Sequence, residues 1–321
     1  MKLVEKEKRE ISVPVDMPKV LILLATYNAG PWLKEQLNSI LSQEDVEVHV
    51  LIGDDQSKDG TRDLIDFEWK EDARVELIVW DSPSGSAGGN FRRLYRCADA
   101  SRYDYIAFAD QDDVWLSNKL ITAVRALQKQ NAAGYSCSVE SFWPNGNRKI
   151  IKQCGVVRHA DFLFEGGGQG CTFVITRSLF LFLQDFCRKH VSLADAMHYH
   201  DWLVYLLART SGLKWYFDEM PYMCYRQHSG NEIGSRGNIK AIGKRLDLIK
   251  NGWYRGQVNF ALNIVAQLNY KSEKLTKFAN TYHSPRSQVR QILIAWFMLV
   301  HGRRKLSDRI VLAATALAGW I

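Results

Sequence analysis

Short apolar runs that each end in a polar turn recur through the first third of the chain. Val20–Thr26 is apolar up to its last residue, as in strands that are buried on both faces of a parallel sheet. Similar runs occupy Val46–Ile52, Val75–Trp80 and Tyr105–Ala109, and the segments between them include apolar residues at helical spacing, as in Trp32–Leu41. The repeated strand, turn and helix predict an α/β fold with a mainly parallel sheet that is flanked by helices.

Polar side chains follow each of these four runs. In parallel sheets ligands bind beyond the carboxyl ends of the strands, so we expect the four polar clusters to share one site. The sequence has no G-x-G-x-x-G dinucleotide fingerprint after the first run and no G-x-x-x-x-G-K-[ST] phosphate loop. The candidate residues are Thr26, Tyr27 and Asn28 after the first run, Asp54 and Asp55 after the second, Asn90 at the end of the loop after the third, and Asp110–Asp113 after the fourth.

The fourth cluster carries three carboxylates in four residues: Asp110, Asp112 and Asp113, with Gln111 between them. Such acids repel one another, and a hard divalent cation with oxygen ligands would relieve the repulsion. A helix-capping turn is the alternative, because Asp is common before helices. Agreement with the other strand ends favours a metal site. The spacing leaves open which of the three acids bind the metal directly.

Three later segments add candidates. The glycines of Phe164–Gly170 either allow close approach to a ligand or form a plain loop. Asp201 stands where an apolar helix begins, so it either stabilises the helix dipole or acts as a general base. Arg226 and His228 open a polar loop in which strong donors or metal ligands converge.

The last part of the chain is strongly basic. The formal net charge is +7, and residues 236–321 carry +12, so residues 1–235 carry −5. The segments Ile292–Val300 and Ile310–Ile321 are apolar but too short to span a bilayer. They predict either an amphipathic element on a membrane surface or helices that pack on the core or on another subunit. A basic tail of this kind favours an anionic lipid or an acidic acceptor as its partner.

The amino terminus and the cysteines bear on where the protein works. Met1–Glu10 is charged and lacks the apolar segment of a signal peptide. The six cysteines form no C-x-x-C pair, so their spacing indicates neither a zinc site nor a disulfide framework, and several lie in apolar runs where we expect reduced, buried thiols. These features predict a cytoplasmic protein on the inner face of the membrane, with no nucleic-acid partner.

Six motifs in order resemble the family 2 glycosyltransferases, and within them the bacterial rhamnosyltransferase-like branch that builds surface polysaccharides. The resemblance covers roughly residues 18–235. The chain departs from the family pattern at Gln56, where Gly is usual, and at Asp81, where Asn is frequent. The motifs are Leu24–Gly30, Gly53–Thr61, Phe108–Trp115, Gly170–Phe173, His200–Trp202 and Tyr225–Asn231.

The resemblance implies a GT-A fold in residues 18–235, between an N-terminal extension (1–17) and a basic helical C-terminal extension (236–321) that associates with a membrane or oligomerises. It implies transfer from a nucleoside-diphosphate sugar, with inversion, to a hydroxyl of a growing, lipid-linked polysaccharide. The donor expected first is dTDP-rhamnose, and a UDP-sugar with galactose or N-acetylglucosamine is the alternative. Two other classes remain: a non-catalytic nucleotide-sugar-binding or assembly subunit, and a nucleotidyltransferase.

The resemblance also assigns roles to residues. Asp201 is the expected general base. A Mg²⁺ or Mn²⁺ ion is expected on Asp112 and Asp110 with His228. The expected nucleotide-sugar contacts are Thr26, Tyr27, Asn28, Asp54, Asp55, Asn90, Asp110, Gln111, Asp113, Gly170 and Arg226.

Overall fold

The computed structural model describes residues 17–153, 155–228 and 247–321. The predicted N-terminal extension (except Met17), the predicted boundary at residue 235, Cys154 and the last three residues of the Tyr225–Asn231 motif lie outside these ranges.

A mixed sheet forms the centre of the molecule. Its first half is parallel, because β1 pairs with β2 and β4, and β2 pairs with β3. The second half adds antiparallel pairs, and the order is β3-β2-β1-β4-β8-β6-β9-β5, with β7 beside β6. The strands are Lys19–Thr26 (β1), Glu47–Asp54 (β2), Val75–Val79 (β3), Tyr105–Ala109 (β4), Val114–Trp115 (β5), Gly134–Phe142 (β6), Arg148–Ile151 (β7), Val174–Thr176 (β8) and Trp215–Arg226 (β9).

Both faces of the parallel half are covered. Alternate residues of β1 enter different cores: Val20, Ile22 and Leu24 on one face, Leu21 and Leu23 on the other. This double burial explains why the strand is apolar throughout. The helices are Leu33–Leu41 (α1), Thr61–Trp69 (α2), Ala87–Cys97 (α3), Lys119–Gln130 (α4), Arg177–Lys189 (α5), Val191–Ala196 (α6), His200–Thr210 (α7), Trp253–Gln267 (α8), Glu273–His283 (α9), Gln288–His301 (α10) and Leu306–Leu317 (α11).

The predicted fold class is confirmed. The predicted bounds of the strands are wrong mainly in the second half of the sheet. The sequence predicts a strand over Cys171–Thr176, but this strand begins only at Val174, because Gly170–Thr172 forms a 3-10 turn. The sequence also predicts a strand over Lys149–Val157, where the structure has the shorter β7. Two short strands that the sequence predicts at 214–217 and 222–225 are one strand, β9, whose pairing with β6 shifts register. The five cysteines in the described ranges are free.

The C-terminal helices pack on the large core and also present an apolar outer face. Ile294 and Met298 of α10 and Leu312 of α11 are buried in the same core as α3, α5 and α7. Ile292 and Trp296 of α10 are 58% and 66% exposed. The buried face agrees with the alternative of helices that pack on the core, and the membrane-surface alternative stays a prediction for the exposed face. No helix within the described ranges is long and apolar enough to cross a membrane.

The basic segment between α10 and α11 turns inward. The guanidinium of Arg304 lies 3.4 Å from carboxylate oxygens of both Asp161 and Glu165 and donates to the carbonyl of Gly166 at 2.9 Å. Asp161 and Glu165 are buried, and Arg209 of α7 also pairs with Asp161 at 2.7 Å. A buried ion-pair network thus ties the C-terminal helices to the glycine-rich loop.

Candidate active site

Asp54 and Asn90 hold the ends of β1 and β2 together. Asp54 is fully buried and accepts hydrogen bonds from the Thr26 hydroxyl at 3.2 Å and from the amide and hydroxyl of Ser57. The Asn90 amide donates to the carbonyl of Gly53 at 2.7 Å and accepts from the Trp80 indole at 2.7 Å. Both side chains therefore form hydrogen bonds with other parts of the protein, as buried polar groups usually do.

Asp55 and Asn28 order the loops at the same edge. The carboxylate of Asp55 accepts from the amide and hydroxyl of Ser84, at 2.6 and 2.9 Å, and from the amide of Gly85 at 3.1 Å. Asn28 takes a positive φ of 52° and accepts from the amide of Lys58 at 2.9 Å. The Asp- and Asn-rich turns predicted from the sequence therefore meet at one edge of the sheet.

Gln111 links the ends of β1 and β4. Its side-chain carbonyl accepts from the Tyr27 amide at 2.6 Å, and its side-chain amide donates to the Tyr27 carbonyl at 3.1 Å. These two hydrogen bonds fix the backbone of Tyr27, a residue that is 54% exposed at the edge of the sheet. An exposed, backbone-anchored aromatic ring is suited to stacking against a planar ligand.

Asp113 is the most unusual acid of the cluster. It is fully buried, Oδ1 accepts from the Arg226 amide at 3.1 Å, and Oδ2 has no hydrogen-bond partner among the described residues. Burial, followed by the charges of Asp112 and Asp110, raises its pKa well above the usual value. Ligand atoms of Asp110, Asp113 and Cys171 lie within 4.8 Å of one another, so these residues could surround a cation.

The chemistry of this group suits a hard cation. Burial, followed by the charges of Asp113 and Asp110, raises the pKa of the Cys171 thiol well above its usual value, so the sulfur stays protonated. Carboxylate oxygens are the ligands that Mg²⁺ and Mn²⁺ prefer. The orphaned oxygen of Asp113 fits such an ion.

Asp112 faces a different partner. Its carboxylate lies 2.5 Å from the imidazole Nε2 of His228, and the ring of His228 stacks on Trp32 at 4.3 Å between centroids. The guanidinium of Arg226 donates to the Asp112 carbonyl at 2.8 Å and pairs with Glu35. The structure thus brings the predicted Arg226 and His228 to the acidic cluster.

A buried lysine lies beneath the cluster. Lys119 is fully buried, its ammonium lies 3.5 Å from the centre of the Trp115 ring, and it has no hydrogen-bond partner among the described residues. Burial lowers its pKa to about 8, against the smaller opposing effects of Cys137, Cys171 and Asp113. Lysines are rarely buried without a partner, so this ammonium is an energetic liability.

Asp201 lies on the other side of the Gly170–Thr172 turn. A Cβ on Gly170 would lie 3.2 Å from Cβ of Asp201 and 2.7 Å from the ring of His200, so only glycine fits there. Cys171, the next residue, is the one that meets Asp110 and Asp113. A single tight turn therefore separates the predicted base from the acidic cluster.

The two residues that begin α7 differ in character. His200 is buried, its Nδ1 lies 2.6 Å from the Tyr95 hydroxyl, and burial lowers its pKa to about 3, so it is neutral. Asp201 is partly exposed, and one of its oxygens accepts from the Trp202 amide at 2.7 Å. A neutral, packed His200 orients the helix start, and Asp201 is the group that can accept a proton.

Sequence reasoning did not single out Cys171, Trp32 or Lys119 as site residues. The position of Cys171 in an apolar run predicts an ordinary buried thiol, and nothing in that run predicts that carboxylates lie close to it. Trp32 stands next to Pro31 at a helix start, and Lys119 stands in a segment with helical periodicity. Of these three residues only Cys171 lies in one of the six motifs, Gly170–Phe173. That motif is the one sequence feature that could have pointed to a site residue here.

These features agree with the comparisons with known proteins. The model of the family "Glycosyl transferase family 2" matches residues 21–184, which include the ends of β1, β2 and β4. The chain therefore belongs to glycosyl transferase family 2. Among its relatives, the dTDP-rhamnosyl transferase RfbG of Shigella flexneri is 36% identical over 79% of this chain and 88% of its own length. The predicted likeness to the rhamnosyltransferase-like branch is confirmed.

Other relatives share a shorter part of the chain. WfgD of Escherichia coli, a UDP-Glc:alpha-D-GlcNAc-diphosphoundecaprenol beta-1,3-glucosyltransferase, is 28% identical over 43% of this chain and 56% of its own length. The solved structure of S. aureus TarS 1-349 matches with a TM-score of 0.57 at 14% identity, covering 94% of this chain and 88% of TarS 1-349. This likeness confirms the GT-A fold.

Proposed function

We propose that this enzyme transfers L-rhamnose from dTDP-rhamnose, with inversion, to a hydroxyl of a lipid-linked precursor of a bacterial surface polysaccharide. The observation that carries the proposal is the Gly170–Thr172 turn, which has Asp201 on one side and the Asp110/Asp113 carboxylates on the other. A single displacement requires a base on one face of the sugar and charge stabilisation on the opposite face. The identity to a dTDP-rhamnosyl transferase supports the choice of donor.

Asp110 and Asp113, with Asp112 and His228 beside them, would hold a Mg²⁺ or Mn²⁺ ion. The buried, unpartnered Oδ2 of Asp113 supports this assignment. A bound divalent cation would stabilise the negative charge that develops on the leaving diphosphate. Arg226 fixes the cluster through its contacts with Asp112 and Asp113.

The nucleotide would lie along the edge formed by β1, β2 and β3. The exposed ring of Tyr27 is suited to stack on the base, since its backbone is anchored by Gln111. Thr26, Asn28 and Asp55 border the same edge and are proposed to contact base and ribose. Asp54 and Asn90 contribute to the same pocket through the loops that they hold.

The C-terminal extension would rest on the inner face of the membrane. Its charge of +12 is complementary to an anionic bilayer surface, and α10 and α11 expose eight large apolar side chains. These are Val289, Ile292, Leu293, Trp296, Leu306, Ile310, Val311 and Leu317. A lipid-linked acceptor would thereby be held near the enzyme.

A donor panel tests the proposal. The purified full-length chain is incubated with an extract of polyprenyl-linked saccharides, MnCl₂ and either dTDP-rhamnose, UDP-galactose or UDP-N-acetylglucosamine, and the released nucleotide is measured. We expect dTDP release with dTDP-rhamnose and its loss after EDTA treatment. Turnover only with a UDP-sugar would reject the donor assignment. Donor binding without turnover would favour a non-catalytic binder, and release of pyrophosphate would indicate a nucleotidyltransferase.

Asp201→Asn tests the base. The change keeps the shape of the side chain but removes its ability to accept a proton, so we expect kcat to fall by at least about 100-fold. Binding of dTDP, measured by calorimetry, should stay within about twofold, because Asp201 is not a nucleotide contact in this assignment. Asp185→Asn, an exposed residue of α5 that pairs with Lys189, is the matched control. Full activity of Asp201→Asn would reject the assignment.

A further inference from the structure

A basic cavity lies at the start of α8, outside the active site. Two adjoining spaces of roughly 320 and 230 Å³ share Gly252 and Arg255. Arg290 lines the first space, and Lys250 and Arg286 line the second. No acidic residue lines either space, and no carboxylate in the described ranges pairs with these four basic side chains. The cavity is therefore a concentrated positive site, of a size typical of small-ligand pockets.

The amino terminus of α8 adds to this positive potential. Gly252 precedes the helix with φ of 79°, and no side chain caps the helix there. Gly252 and Arg255 line both spaces, so the start of this fifteen-residue helix, with its first amides and the positive end of its dipole, lies beside the cavity. Both features favour an anion.

Arg290 is the independent sign of a missing ligand. Its side chain is buried, with the residue only 7% exposed, and Nε has no hydrogen-bond partner among the described residues. One Nη donates to the Tyr282 carbonyl at 2.7 Å. Burial, followed by an opposing effect of Tyr282 and then by the charges of Arg286 and Arg255, leaves its pKa lowered. A buried guanidinium among like charges is stabilised when an anion enters.

Helix α8, which lines the cavity, also contacts the segment that leads into Asp201. Gln257 of α8 accepts from the His198 amide at 2.8 Å, and the ring of Trp253 packs 5.5 Å from that of Tyr199. His198 and Tyr199 lead directly into Asp201. Arg286 precedes α10 and the buried Arg290 lies in its first turn, and the same helix exposes Ile292 and Trp296 on another face.

We propose that this cavity binds the phosphate or diphosphate group of the lipid-linked acceptor. The inference rests on the proposed function and names the chemistry of its acceptor: an anionic phosphate ester between a saccharide and a long hydrocarbon chain. The arginines bind the phosphate oxygens, the hydrocarbon runs along the apolar face of α10, and the saccharide extends toward Asp201. Arginine is well suited to this role, because its planar fork binds phosphate oxygens in pairs.

Flotation with phosphatidylcholine vesicles tests the proposal, with the full-length protein and with or without a few mole per cent of a prenyl diphosphate. Arg255→Ser combined with Arg286→Ser removes two exposed cations from the cavity. Lys271→Ser combined with Lys274→Ser removes the same charge from the exposed surface outside it. We expect the cavity variant to bind prenyl-diphosphate vesicles at least about tenfold more weakly than the control. Equal losses in both variants would overturn the proposal.

Two further binding measurements distinguish a lipid-linked diphosphate from a free phosphate and from an ordinary anionic lipid. Inorganic pyrophosphate should bind the cavity at least about tenfold more weakly than the prenyl diphosphate, because it lacks the hydrocarbon chain. Pyrophosphate binding as tight as that of the vesicles would overturn the lipid assignment. So would a cavity variant that loses as much binding to phosphatidylglycerol vesicles without prenyl diphosphate as to prenyl-diphosphate vesicles, because the membrane face by itself already predicts binding to anionic vesicles.

Donor binding separates this proposal from the proposed function. Calorimetry with dTDP should give the same affinity in the wild type and the cavity variant, because the cavity is outside the nucleotide edge. If dTDP binds neither the wild type nor the cavity variant, the proposed function is wrong. The vesicle experiment still tests whether the cavity binds the prenyl diphosphate.

Discussion

Replacing Lys119 with methionine should stabilise the protein. The ammonium is fully buried over Trp115, and it also stands at the first position of α4, where the helix dipole disfavours a cation. Its pKa falls from 10.5 to about 8. Each pKa unit is worth about 1.4 kcal/mol, so the charged side chain costs about 3 kcal/mol at about pH 7. Methionine has a similar length, fills the same space and carries no charge.

The lowered pKa of Lys119 also predicts how the stability of the protein changes with pH. Between about pH 8 and pH 10.5 the unfolded chain holds a proton on Lys119 that the folded chain has released, so the stability of the wild type rises with pH in this window. The advantage of Lys119→Met should therefore be about 3 kcal/mol at about pH 7, and less than half of that at about pH 9.5.

Urea unfolding followed by circular dichroism measures the effect at both pH values. Lys129→Met is the matched control, because Lys129 lies on the same helix and is exposed; its effect should stay within about 0.5 kcal/mol at either pH. A Lys119→Met protein that is less stable than the wild type at both pH values would refute the reasoning. It would mean that the contact with Trp115 and the nearby Asp113 outweigh the cost of burial.

Three further changes test other parts of the structure. Arg304→Ala should lower the free energy of unfolding by about 3 kcal/mol in urea melts, because it removes the guanidinium nearest to the buried Glu165 and leaves Arg209 as the only arginine that pairs with Asp161 among the described residues; a loss below about 1 kcal/mol would contradict the proposed role of the network. Asp113→Asn should weaken Mn²⁺ binding by at least about tenfold in calorimetry, and unchanged binding would exclude Asp113 as a ligand. Trp296→Ser should reduce binding to anionic vesicles without changing the unfolding midpoint, because its side chain is 66% exposed; unchanged flotation would reject the membrane face.

The parallel half of the fold could be predicted because local pattern and burial coincide there. β1, β2 and β4 are buried on both faces, so their sequences are continuously apolar and their ends are marked by Asp and Asn. The second half of the sheet was predicted less well, because contacts between residues that are distant in the sequence determine its local structure. Gly170–Thr172 is a tight turn because Gly170 must pass against His200, a contact that is formed by residues thirty positions apart.

The sequence alone determined which residues gather at the edge of the sheet, since the carboxyl ends of parallel strands meet wherever the strands are paired. The tertiary structure alone decided how those residues divide their roles. It engages Asp54 and Asn90 in internal hydrogen bonds, leaves an oxygen of Asp113 unpartnered, and packs Cys171 against the acidic cluster. It also turns Arg304 inward while Arg286 faces a cavity. Side chains of the same chemistry differ in this way because burial and partners are set by distant segments, which local sequence patterns do not encode.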